Sequence, residues 1–206
     1  MLFNFSYVRQ KIPNVIIGDF DSLRADVQNF YEKLGSEIIK DEDQYSTDFG
    51  KSVNHLRSVL SLSSEVESQP ANVDIIVVGS ISGRVDQGIG LLGELYRETH
   101  RSQSNMRLWL VSEGNVSWLL PPGNNLLLGL DVKLTDAKRN IFATHVGILP
   151  LYGPSVITTK GFEWDVTDWE TRMGANVSTS NHIVADEVCV RTSEWVLFTV
   201  ELATLE

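Results

Sequence analysis

Asp19 and Asp21 stand one residue apart in Gly18-Asp19-Phe20-Asp21-Ser22, directly after the apolar run Val15-Ile16-Ile17. Two carboxylates on one turn can converge on a hard cation, and Mg²⁺ is commonly held by one or two carboxylates with substrate phosphates. A purely local reading competes with this: Asp19 caps the loop, and Asp21 or Ser22 caps the helix that follows. Taken alone, the pair does not decide between them. A second polar cluster, Asp41-Glu42-Asp43-Gln44-Tyr45-Ser46-Thr47-Asp48-Phe49, has the composition of a solvated loop with an N-cap. Its place just after a short strand-like segment argues for more than a cap. The third cluster, Gly83-Arg84-Val85-Asp86-Gln87, follows an apolar run. Gly79 and Gly83 permit close backbone approach, Arg84 can neutralise phosphate charge, and Asp86 can orient a hydroxyl or a metal-bound water. No Gly-x-x-x-x-Gly-Lys-Ser/Thr sequence is present, so the chain has no P-loop.

These clusters need elements that carry them to one place. The first half alternates strand-like and helix-like segments, the pattern of an α/β domain with a largely parallel sheet, in which ligands gather at the carboxyl ends of the strands. Val15–Ile17 reads as a buried strand. Val27, Phe30, Tyr31 and Leu34 recur at helical spacing up to a stop at Gly35. Glu37–Lys40 supplies a short strand, and Phe49, Val53, Leu56 and Leu60 form the apolar face of a second helix, with Ser46 or Thr47 as its N-cap. Ser61–Ser68 is a polar connector. Asp74–Val78 is expected to be a buried strand, about Gln87–Thr99 a third helix, and Leu108–Val111 the last strand of this half. From Glu113 onward, turn signals such as Pro121-Pro122-Gly123-Asn124-Asn125 and Gly153-Pro154 separate short runs of β-formers. The sequence therefore predicts an α/β domain over 1–112 and an antiparallel β-sandwich over 113–206.

Composition narrows the partners. The 206 residues carry 17 Lys and Arg against 27 Asp and Glu, a formal net charge of -10. Such a chain has no diffuse basic footprint for a polyanionic backbone, so nucleic acid is not expected as a partner. Cys189 is the only cysteine, which excludes an intramolecular disulfide and suits a reducing compartment. No apolar stretch reaches the ~18 residues of a membrane span, and Met1–Arg9 lacks the pattern of a signal peptide. The expected setting is cytoplasmic and away from membranes.

Taken together and in order, Gly18-Asp19-Phe20-Asp21-Ser22, Asp43-Gln44-x-x-Thr47-Asp48-Phe49 and Gly83-Arg84-x-Asp86-Gln87 resemble the motifs of the thiamine pyrophosphokinase family. Leu149-Pro150-Leu151, the stretch Thr158-Thr159-Lys160-Gly161-Phe162-Glu163-Trp164-Asp165-Val166 and Ser178-Thr179-Ser180-Asn181 resemble its C-terminal motifs, so the likeness spans nearly the whole chain. The resemblance implies transfer of a pyrophosphoryl group from ATP to the hydroxyl of thiamine, giving thiamine diphosphate and AMP. It implies Mg²⁺ and a homodimer whose two kinds of domain contribute to a shared site. By motif, Asp19, Asp21 and Asp48 would hold Mg²⁺, while Gln44, Thr47, Gly83 and Arg84 would line the ATP site. Asp86, with Arg84 and Gln87, would act at the thiamine hydroxyl and the reacting phosphorus. Trp164, Ser178, Ser180 and Asn181 would border the vitamin.

The likeness has gaps. Family members usually carry an Asp-Gly-Gly-Ala-Asn-Arg-like segment before the first motif, and none stands among residues 1–17. On the resemblance, this chain is expected to have a nucleotide pocket short of one wall and to bind thiamine better than it turns it over. Ser80 stands where a second glycine is common, and Tyr45 where an acidic residue often appears. Two other functions fit the same residues: a shortened paralogue that binds thiamine without turnover, and a Mg²⁺-dependent phosphatase using Asp19 and Asp21.

Overall fold

The computed structural model describes residues 11–63, 73–79, 81, 83–101, 106–130, 133–134 and 139–203. Met1–Arg9, Ser80, Ser82 and most of the expected 61–68 connector lie outside the described residues. Contacts divide the chain into two compact units, one drawn from Asn4–Asn72 and His100–Asn105, the other from Val73–Thr99 and Met106–Glu206.

The described residues of the first unit form two strands and two helices. β1 (Val15–Gly18) and β2 (Glu37–Lys40) pair in parallel, with Gly18 opposite Lys40. α1 (Ala25–Lys33) connects them. Its N-cap is Arg24, which makes no side-chain capping bond, so neither Asp21 nor Ser22 takes the capping role that the sequence allows. The helix ends as expected: Gly35 has φ 92°, and the N–H groups of Gly35 and Ser36 close back onto the carbonyls of Glu32 and Tyr31. A residue without a Cβ adopts this left-handed turn without strain. No residue of α1 is buried, and Phe30 and Leu34 of its expected apolar face are exposed. α2 (Asp48–Ser63) is capped by Thr47, whose Oγ1 accepts a hydrogen bond from Gly50 N at 3.1 Å. Val53 is buried and Phe49 half-buried, whereas Leu56 is exposed.

The second unit is a sandwich. β3 (Val73–Val78), α3 (Val85–His100) and β4 (Met106–Val111) precede β5 (Asn115–Leu120), β6 (Gly123–Leu128), β7 (Lys133–Leu134), β8 (Arg139–Asn140) and β9 (Phe142–Leu149). β10 (Ser155–Lys160), β11 (Trp169–Thr171), β12 (Ser178–His182), β13 (Glu187–Thr192) and β14 (Val196–Leu202) complete it. One sheet has the order β12-β9-β14-β5-β4-β3 and the other β11-β10-β13-β6, while β7 and β8 pair separately. Period-2 alternation turns one set of side chains of each sheet inward. Val188, Val190 and Ile157 from one sheet meet Val146, Ile148, Val196, Phe198 and Val200 from the other in a single buried cluster.

Two features depart from the expectation. β3 is not buried on both faces: it is the edge of its sheet, its exposure alternates, and Ile76 is 64% exposed. Among the described residues the parallel pairing is also confined to β1–β2 and β3–β4, which belong to different sheets. β4 continues antiparallel into β5, with Leu110 opposite Ser117 and Val111 opposite Val116, so one sheet runs through residue 112. The architecture is thus two-domain with a two-stranded parallel sheet and a larger mixed one, and the N-terminal sheet is not a broad parallel one. α3 belongs to the sandwich unit through Tyr152, whose hydroxyl donates to Leu92 O at 2.8 Å and whose ring stacks on Tyr96 at 4.3 Å. Desolvation, with Tyr96 adding to it, pushes the Tyr152 phenol up to about 12.

Candidate active site

In the first unit the acidic loops meet at the carboxyl end of β1. Asp19 Oδ1 accepts a hydrogen bond from Asp21 N at 3.1 Å, which folds the loop, and Phe20 between them has φ 65°. A non-glycine residue in this region costs on the order of 1 kcal/mol and often marks a functional turn. The Asp41 N–H bonds to Gly18 O at 2.9 Å, carrying the β1–β2 pairing one step further. Asp41 Oδ1 then accepts from Asp43 N, and Asp43 accepts from Tyr45 N and from the Ser46 hydroxyl. The Ser46 hydroxyl, followed by Tyr45 N–H, holds the Asp43 carboxyl below its ordinary value. At the start of α2 the Asp48 carboxylate lies against Gly18: a Cβ on that glycine would sit 3.0 Å from Asp48 Oδ1. The absence of a side chain at position 18 therefore lets Asp48 reach the strand end that carries Asp19. Lys40 is raised above its ordinary value, chiefly by its bond to Glu42, with Asp21 and Asp19 contributing. Gln44 and Thr47 lie exposed on the same loop.

One residue here escapes the sequence reading. Lys51, in the first turns of α2, is only 2% exposed. Its Nζ donates to Asp41 O at 2.8 Å and lies 3.9 Å from Asp48 Oδ1.

The third cluster opens α3 in the second unit. Gly83 has φ 77°, and Arg84 and Asp86 pair with each other through two hydrogen bonds, Arg84 Nε to Asp86 Oδ1 at 3.1 Å being one. Both side chains are exposed, and the guanidinium holds the Asp86 carboxyl below the usual range. Gln87 is exposed beside them. The sequence also contains Gly88-Ile89-Gly90-Leu91-Leu92-Gly93, which has the spacing of a dinucleotide-binding fingerprint. It lies inside α3 and not at a strand-to-helix turn, so it lacks the context that gives that spacing meaning.

On the sandwich, Trp164 is 55% exposed, and Asn181 fixes its backbone. Asn181 Oδ1 accepts from Trp164 N at 3.1 Å and His182 N at 2.8 Å, and its Nδ2 donates to Trp164 O at 2.9 Å. Asn181 is 5% exposed, so its amide is a support for Trp164 before it is anything else. The Trp164 ring lies 5.1 Å from that of His182, whose Nδ1 is 2.5 Å from Glu163 Oε2. Gly161 sets the preceding turn: it has φ 101°, and a Cβ there would come within 2.6 Å of Glu187 O. Ser178 begins β12, a register shift falls between Ser178 and Asn181, and Ser180 has φ 56°. Ser180 also lines an open cavity of about 420 Å³ with Thr179, His145, Gly147, Thr199 and Glu201.

A family model described as the thiamin pyrophosphokinase catalytic domain matches residues 3–110, more than half of the chain, and one described as its vitamin B1 binding domain matches residues 132–197. The chain belongs to the thiamin pyrophosphokinase family. It is 31% identical over 192 residues to thiamine pyrophosphokinase 1 of Arabidopsis thaliana, covering 92% of this chain and 66% of that relative. To thiamine pyrophosphokinase of Saccharomyces cerevisiae it is 29% identical, covering 93% and 69%. The chain thus spans about two thirds of the length of the curated relatives it matches. The solved thiamin pyrophosphokinase of Candida albicans superposes with a TM-score of 0.77 at 26% identity, covering 97% of this chain and 78% of that one.

In this family member, no three His, Cys, Asp or Glu side chains among the described residues are grouped closely enough to hold a metal ion by themselves. Asp19, Asp21 and Asp48 are nonetheless the type of hard oxygen donor that Mg²⁺ takes. Asp19 and Asp21 share one turn, Asp48 is seated against Gly18, and a few carboxylates completed by phosphate oxygens suit that ion. Among the described residues no helix is long and apolar enough to cross a membrane.

Proposed function

We propose that this chain transfers a pyrophosphoryl group from ATP to the hydroxyl of thiamine, releasing AMP and thiamine diphosphate. The observation that carries the reading is the Asp48 carboxylate seated on Gly18, next to the Asp19-Phe20-Asp21 turn. In the proposal Asp19, Asp21 and Asp48 hold Mg²⁺, and Gln44, Thr47 and Gly83 line the nucleotide. Mg²⁺, when bound, neutralises the phosphate charge and fixes the phosphate chain. Arg84 turns from Asp86 toward the phosphates, a bidentate guanidinium being suited to either partner. Asp86, an exposed carboxylate, is a weak base at neutral pH. Its part is to accept a hydrogen bond from the thiamine hydroxyl and aim it, with Gln87 beside it. Aiming is what this chemistry asks of the protein, since phosphoryl transfer depends mainly on positioning and charge neutralisation.

Thiamine carries a cationic thiazolium and a flat pyrimidine. The exposed Trp164 face suits such a ring, and Ser178, Ser180 and Asn181 border it in the proposal. The functional division follows residues 1–112 for the α/β nucleotide part, with its two parallel strand pairs, and 113–206 for the vitamin part. The working unit is a cytoplasmic homodimer in which the two parts of a site come from different chains. No observation favours the non-catalytic or phosphatase alternatives.

Incubating the chain with ATP, thiamine and Mg²⁺ should yield AMP and thiamine diphosphate in equal amounts. Phosphate release without thiamine would reject the reading. In mixed dimers of Asp86→Ala and Trp164→Ala chains, activity should partly return; its absence in a verified mixed dimer would place both residues in one chain's site.

A further inference from the structure

We infer that Lys51 is a positioning residue, whose buried ammonium fixes the Asp48 carboxylate at the end of β1 for cation binding. This rests on the proposed Mg²⁺ site. A lysine is almost never fully buried unless its charge has partners, yet Lys51 is 2% exposed among residues that are mostly open to solvent. Its Nζ is bonded to the Asp41 carbonyl at 2.8 Å and faces Asp48 Oδ1 at 3.9 Å. Asp41 is itself tied to β1 through Gly18 O, and Asp48 rests on Gly18 as well. Lys51 therefore joins the end of β2, the start of α2 and the end of β1, the pieces that the acidic loops must hold in register.

Gly50-Lys51-Ser52 has the closing residues of a P-loop, but Tyr45 stands where its first glycine would be, and the ammonium is buried against Asp41 O. Lys51 thus acts through Asp48 and not on phosphate. Removing a support behind a metal ligand typically costs 10–100-fold in affinity or activity. Coulomb's law alone predicts the opposite sign, because losing a nearby positive charge would favour a cation. The sign of the effect therefore separates positioning from simple charge.

The test is Mn²⁺ binding, followed by electron paramagnetic resonance of the free ion in the presence of α,β-methylene-ATP, with thermal unfolding measured in parallel. Lys51→Met should bind Mn²⁺ about 10–100-fold more weakly than the unaltered chain, and Lys51→Arg, which keeps the charge, should recover part of that loss. Gly18→Ala drives a Cβ against Asp48 and should likewise weaken Mn²⁺ binding while leaving Lys51 in place. If Lys51→Met does not fold, Gly18→Ala decides alone, and its unchanged affinity would overturn the inference. Unchanged or tighter Mn²⁺ binding by folded Lys51→Met would also overturn it, leaving the proposed function intact. An unaltered chain that binds no Mn²⁺ would overturn the metal-site reading and this inference with it.

Discussion

The acidic loops of the first unit and the sandwich of the second keep their candidate site residues in place by opposite means. Around β1 the carboxylates are exposed or half-buried, and they are held by short-range bonds: Asp19 to Asp21 N, Asp41 to Asp43 N, Asp43 to Tyr45 N, with Lys51 bonded to Asp41 O. In the sandwich, a fully buried cluster around Phe198, Val188 and Val200 carries Trp164 and Ser180 on its surface. Loops that fold on their own side chains can change charge with little effect on the rest of the molecule. A surface carried by a packed core moves when the core is cut. Chemistry should therefore be separable from stability in the first region and not in the second.

The largest effect expected from breaking this contrast is at Asp21. Asp21→Asn should lower turnover by orders of magnitude and weaken its Mg²⁺ dependence while leaving thermal unfolding unchanged; steady-state assays at limiting Mg²⁺ check this. In the sandwich, Phe198→Ala should cost about 3–5 kcal/mol in denaturant unfolding, with loss of activity following loss of fold. Asn181→Ala tests the seam between core and surface. It removes the three bonds that hold the Trp164 and His182 backbone, so stability should fall by about 1–3 kcal/mol and the KM for thiamine should rise more than kcat falls. The smallest effect concerns Tyr152. Its phenol is raised from 10.0 to about 12 in the folded chain, so its contribution is fully present below pH 10 and is lost as pH climbs towards about 12. Tyr152→Phe should remove that part of the alkaline decline in stability.

How much of this could be read from the sequence follows the same contrast. Asp-x-Asp after an apolar run and Thr47 before a helical period announce themselves through local spacing, and both stand at strand or helix ends in the structure. Lys51 did not, because its burial is decided by Asp41, ten residues away, and nothing in a helical period separates a buried lysine from a solvated one. The first helix took Arg24 as its N-cap in place of Asp21 or Ser22 because Asp19 had already folded the loop. β3 looked buried because Ile75-Ile76-Val77-Val78 is uniformly apolar. Its edge position depends on which strands pair, a nonlocal choice. The same choice carries the sheet through residue 112, where composition changes but pairing does not. The sandwich was legible because turn signals are local: Pro121-Pro122-Gly123 stands where β5 gives way to β6, and Gly153-Pro154 directly before β10.

In the proposal the two regions divide the labour, the carboxylates of the first unit serving phosphate chemistry and the Trp164 surface the vitamin. Calorimetric titration of thiamine into Asp21→Asn and Trp164→Ala, with AMP formation followed on the same samples, tests it most directly. Asp21→Asn should bind thiamine as tightly as the unaltered chain and make almost no AMP, whereas Trp164→Ala should lose thiamine affinity. Thiamine binding lost in Asp21→Asn, or kept in full by Trp164→Ala, would contradict the division.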